Sequence, residues 1–134
     1  MSKFEEVGTL LFKCESIPLE MTPEFSSSST GEIASYYNGI GPEWSPAWAR
    51  KAATWYMSVF APAAVIHDFE YATAARTEQA KEDADDRFYA NCRRCIRHLN
   101  LKWYNPRRWL LERKAFIGWR MVRRLGNDAF FTKQ

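Results

Sequence analysis

The chain has 134 residues, 46% of them hydrophobic and 16% aromatic, with a formal net charge of +3. That length suits one domain with a core of its own. No apolar run is long enough to span a bilayer, and Met1-Ser2-Lys3-Phe4-Glu5-Glu6 lacks the pattern of a signal peptide, so synthesis in a cytoplasm is expected, with any onward passage by another route.

The small net charge hides a division. Residues 1–86 carry 6 Lys and Arg against 14 Asp and Glu, a balance of −8, whereas residues 87–134 carry 13 against 2, a balance of +11. A basic half of this kind suits anionic lipid headgroups, nucleic acid or an acidic protein surface, and part of it is neutralised against the acidic half on folding. The three cysteines, Cys14, Cys92 and Cys95, are too few for a disulfide framework. Cys92-Arg93-Arg94-Cys95 has metal-ligand spacing, but only His98 is near it in sequence, so buried free thiols on one helix face are the expectation.

Residues 1–31 read as an irregular N-terminal arm that docks on another subunit. Within it, Val7 to Lys13 has the composition of a short strand. Pro18 and Pro23 break any helix, and Ser26 to Gly31 reads as a loop. A domain of residues 32–134 follows, and its class is mainly α. Residues 32–46 hold a Gly-rich turn closed by Pro42 and Pro46. Trp48 to Phe60 has apolar residues at helical spacing. Pro62 suits the first turn of a second helix running to about Ala75. Glu78 to about Leu101 forms a third, with Ala84, Phe88, Cys92 and Cys95 at core spacing. Asn105-Pro106 marks a boundary, and a last helix from about Arg107 to Leu125 is capped by Gly126-Asn127.

Three short segments carry chemistry. In Tyr37-Asn38-Gly39-Ile40-Gly41 the glycines let successive carbonyls point inward, which suits calcium, a hard cation that accepts carbonyl oxygen. His67 and Tyr71 are four residues apart and share a helix face, while Asp68 points about 100° away. An isolated His-Asp pair is usually a solvated one, but this pair emerges from the apolar stretch Ala61 to Ile66, which favours burial. A helix antiparallel to the His helix brings an acid from Asp83 to Asp86 to His67. Its bond fixes the ring tautomer and leaves the other nitrogen as a base. The phase with Phe88 and Cys92 favours Asp85, and Asp86 stays the alternative. Trp44, Trp48 and Trp55 flank the region and suit either core packing or a lipid interface. Arg93, Arg94, Arg97, Arg107, Arg108, Arg120, Arg123 and Arg124 are read mainly as a solvated basic face, able to grip phosphates but without a motif for reading nucleic-acid sequence.

Over roughly residues 36–131 these segments resemble the phospholipase A₂ superfamily, and most closely the small phospholipase-like proteins of bacteriophages. The resemblance is carried by Asn38-Gly39-Ile40-Gly41-Pro42, Ala63-Ala64-Val65-Ile66-His67-Asp68 and Ala84-Asp85-Asp86-Arg87-Phe88-Tyr89-Ala90-Asn91. Ala115, Trp119, Val122-Arg123 and Gly126 continue it. It implies a small helical domain with antiparallel active-site helices and a Gly-rich calcium loop. His67 would be the general base and Asp85 its orienting partner. Tyr71 would support Asp85, and the Gly39 N–H would assist the oxyanion. Ca2+ would sit on Asp68 and the carbonyls of Tyr37, Gly39 and Gly41. The family's loop cysteines are absent, so no disulfide ties the loop to the helix.

The expected function is calcium-dependent hydrolysis of an acyl ester of bacterial phospholipid. The chain would be virion-associated, in the tail, and would act at the host envelope. The basic half would hold headgroups near the site, and other virion proteins would meet the arm of residues 1–31. The alternative is a structural virion protein that keeps the fold with little or no activity. A nucleic-acid-binding role ranks last, because it gives the three-part site no purpose.

Overall fold

Ser2 and Ser29 each stand three residues before a glutamate, and both cap helices. Their hydroxyl oxygens accept from the backbone N–H of Glu5 and Glu32, the pairing that satisfies the open donors of a helix start. The structure, a computed structural model, describes residues 2–37 and 46–132. Among the described residues it is helical, without strands: α1 (Lys3–Ser16), α2 (Pro23–Ser27), α3 (Thr30–Tyr36), α4 (Ala47–Tyr56), α5 (Ala61–Thr73), α6 (Glu78–His98), α7 (Pro106–Leu125) and α8 (Asn127–Thr132), with a single 3-10 turn at Ser58–Phe60 before α5. The mainly α class is therefore correct.

The N-terminal segment departs from expectation. Residues 3–16 form a helix, not an irregular arm, and Val7 to Lys13 is not a strand. Val7, Leu10 and Cys14 recur at helical spacing and are all buried, a period that outweighs the strand-like composition of the stretch. Thr22 caps α2, whose first residue is Pro23. Leu19, Phe25 and Ile33 join Val7 and Leu10 in the same core as Phe60, Val65 and Phe69. Residues 2–31 thus contribute to the core of the helical domain rather than standing apart from it. Burying each such side chain contributes about 1.5–3 kcal/mol, enough to hold a 14-residue helix that would be marginal alone.

The central element is α5, from Pro62 to Tyr71 buried almost without interruption. A helix apolar on all sides must be covered on all sides. Here α1 and α3 pack on it from one side and α6 from another, while α7 lies against α6. Helices α5 and α6 are antiparallel: His67 meets Phe88, whereas Tyr71, one turn later, lies near Lys81. Glu70, buried on α5, forms an ion pair with Arg87 of α6. The thiols of Cys14, Cys92 and Cys95 are free and buried. Burial pushes Cys14 up to about 12 and Cys95 up to about 11, so the buried-thiol reading holds. His98 is exposed at the end of α6.

Candidate functional site

Asp85 is fully buried, and its charge is satisfied from three helices. From α5, the ring Nε2 of His67 lies 3.0 Å from Oδ1, and the Tyr71 hydroxyl donates to the same oxygen at 2.5 Å. From α6 itself, Lys81 Nζ, one turn earlier, donates to Oδ2 at 2.7 Å. From α7, Arg123 Nε stands 3.6 Å from Oδ2. Burial by itself raises the carboxyl, but the hydrogen bonds from His67, Lys81 and Tyr71 outweigh it and hold Asp85 below the usual carboxylate value.

An ionised carboxylate can only accept, so Nε2 of His67 is the donor, and in the neutral ring Nδ1 carries the lone pair. Packing holds the ring in that pose. Tyr71 lies at 4.1 Å between ring centroids on one side, and Phe88 at 4.8 Å. Tyr71 is itself clamped edge-on by the fully buried Phe130 of α8. Its hydroxyl is pushed well up, first by burial and then by its bond to Asp85, so it remains a donor.

The geometry separates the two candidate acids. Asp86 is turned outward and accepts from Arg123 Nη2 at 2.6 Å and Trp119 Nε1 at 3.2 Å. Asp85, as its phase with Phe88 suggested, is the acid beside His67. Three supporting residues were not foreseen. Lys81 belonged to an acidic, apparently solvated stretch, yet it is buried and also donates to the last carbonyls of α7, Val122 O at 3.2 Å and Arg123 O at 3.3 Å. Its i, i+4 spacing to Asp85 was the available signal. Arg123, read as part of a basic face, turns inward. Gly126 ends α7 with an ordinary negative φ of −81°, so it is not needed for a left-handed cap. A Cβ there would come within 2.5 Å of the Tyr71 hydroxyl and 2.4 Å of Val122 O. The glycine lets Tyr71 reach Asp85.

Asp68 follows His67 on α5 and is half-buried. The phenol of Tyr37, itself buried, is pushed up by burial, then by the charges of Glu6 and Asp68. No described residue bonds to the Tyr37 hydroxyl. Gly39 and Gly41, with Asn38, Ile40 and Trp44, lie outside the described residues, as does the Trp55 side chain. Among the described residues no three His, Cys, Asp or Glu side chains gather as a metal cluster. The expected calcium set needs one carboxylate and three carbonyls; of its members Asp68 and Tyr37 are described, and Gly39 and Gly41 are not.

The basic residues divide. Arg93 pairs with Glu112 at 3.6 Å, Arg94 with Glu20 at 3.3 Å, and Arg123 with Asp86. Trp48 is three-quarters exposed. No described helix is long and apolar enough to cross a membrane. No protein-family model, curated protein or solved structure matches the chain.

Proposed function

We propose that this protein is a phospholipase A₂-like esterase that hydrolyses an acyl ester of bacterial phospholipid with calcium. The supporting observation is the buried His67–Asp85 pair joining two antiparallel helices, with Tyr71 on the same carboxylate oxygen and Asp68 next in sequence to the histidine. A histidine oriented by a buried acid is the equipment of a general base.

In this reading Nδ1 of His67 takes a proton from water as its oxygen attacks the ester carbonyl carbon. The carbonyl becomes an oxyanion. On its collapse the acyl C–O bond breaks, and the imidazolium returns the proton to the leaving alkoxide. The products are a fatty acid and a lysophospholipid. Asp85 stays ionised and stabilises the transient imidazolium, while Lys81 and Arg123 keep Asp85 from taking the proton itself. Calcium on Asp68 and the carbonyls of Tyr37, Gly39 and Gly41 would polarise the ester and hold its phosphate. The Gly39 N–H would face the oxyanion. The setting we propose is a bacteriophage virion, in its tail, with the host membrane as the target. That setting rests on the sequence resemblance alone.

The test is fatty-acid release from mixed bacterial phospholipid vesicles, with calcium against chelator and wild type against His67→Ala. Release that needs both calcium and His67 is the expected result. A folded protein that releases nothing in either condition refutes the enzyme and leaves the structural virion role.

A further inference from the structure

Helix α7 turns Leu111 and Ala115 to the core and Arg123 to the buried site. Its opposite side is not an ordinary solvated face. Trp109 is 76% exposed, and Phe116, Ile117 and Met121 are close to half exposed. Arg113, Arg120 and Arg124 stand among them, also exposed, and among the described residues none of the three makes an ion pair. The one acid of α7, Glu112, is turned away to Arg93. An apolar strip set with cations and free of acids is built for an anionic, partly apolar surface.

The same chain carries such a surface. On α1, Phe4 and Phe12 are 59% and 72% exposed. Glu5, Glu6 and Glu15 lie beside them on the exposed part of the helix, and Glu24 of α2 and Glu32 of α3 are exposed too. None of these five acids pairs with a described cation. Lys3 and Lys13 are the basic residues of this face, which stays acidic in balance. The two surfaces belong to different helices, α1 and α3 packing on α5 and α7 on α6, and among the described residues no ion pair joins these five acids to Arg113, Arg120 or Arg124. Within one copy the two faces therefore do not pair with each other.

We propose that the chain self-associates head to tail, the outer face of α7 in one copy seated on the acidic face of α1 to α3 in the next. Exposed aromatics meet at the centre and arginines meet glutamates around them. Such a contact joins unlike faces, so it closes into a ring or continues as a filament. An anionic membrane would also attract the outer face of α7, but it would leave the acidic aromatic face without a purpose and would put the body of α7 between lipid and His67. The proposal does not depend on the esterase reading.

The experiment is sedimentation velocity on the full chain across protein concentration, at about 50 and about 500 mM salt. Two variants each reverse one face: Arg113→Glu/Arg120→Glu, and Glu6→Lys/Glu24→Lys. All four side chains are exposed, and circular dichroism melts check that folding is kept. Wild type is expected to associate with rising concentration, more weakly in high salt. Each variant alone should associate about tenfold or more weakly, since like charges then face each other. A one-to-one mixture should associate again, because the acidic α7 of one variant fits the basic face of the other. A wild type that stays monomeric throughout overturns the proposal, and if it then binds phosphatidylglycerol vesicles through α7, lipid is the occupant. Variants that associate as tightly as wild type, or a mixture that stays monomeric, overturn it equally.

Discussion

Lys81→Met is the sharpest probe of the buried cluster. Lys81 and Asp85 are 4% and 0% exposed, so the ammonium shields the carboxylate where water cannot. Removing one partner of such a pair costs about 3–5 kcal/mol, chiefly because the other charge is left behind. Here His67 and Tyr71 still bond to Oδ1, and Arg123 Nε stays 3.6 Å from Oδ2, which places the loss near the lower end, about 3 kcal/mol. The loss of the donor to Val122 O and Arg123 O keeps it from falling further. For a domain of this size that loss lowers Tm by about 10 °C. Thermal and urea unfolding by circular dichroism at fixed protein concentration would read it. The double variant Lys81→Met/Asp85→Asn should be less destabilised than the two single losses together, by about 1 kcal/mol or more. The pH dependence has a definite sign. Asp85 is held below its ordinary value, so its stabilising contribution is complete above about pH 4 and fades as pH falls through the lower folded value. The gap between wild type and Lys81→Met should therefore narrow in acid. A loss below about 1 kcal/mol at neutral pH, or no coupling in the double variant, would sink the idea that Lys81 stabilises a buried carboxylate.

Gly126→Ala should cost about 1–3 kcal/mol, because its methyl group collides with the Tyr71 hydroxyl and Val122 O. An unchanged melting curve would show that α7 yields there. Tyr71→Phe removes a bond to a charged oxygen and should cost about 1.5–3 kcal/mol. With Asp85→Asn as background most of that cost should vanish, and full additivity would separate the two residues. In native protein at pH 8, Cys14, Cys92 and Cys95 should resist a thiol reagent until the chain unfolds, since burial suppresses the thiolate in all three. Rapid labelling of the folded state would contradict that.

The helical class, the last three long helices and the preference for Asp85 over Asp86 as the partner of His67 were legible in the sequence. Each rests on a local period: apolar residues at 3.6-residue spacing, and Asp85 in phase with Phe88 and Cys92. The same rule applied to Val7, Leu10 and Cys14 identifies α1 against a strand-like composition, and the serine caps at Ser2 and Ser29 are the local signal for the starts of α1 and α3. Other features had no local signature. Lys81 and Arg123 look like members of solvated charged runs, and only the approach of α7 to α6 turns them toward Asp85. Gly126 looks like a helix stop, and only the Tyr71 hydroxyl beside it shows why a side chain cannot stand there. Sequence spacing determines which residues share a face of one helix, because the backbone repeat fixes it. Which faces meet, and so which charges are buried together, is decided by packing between helices, since a buried charge is tolerated only where partners from distant parts of the chain converge on it.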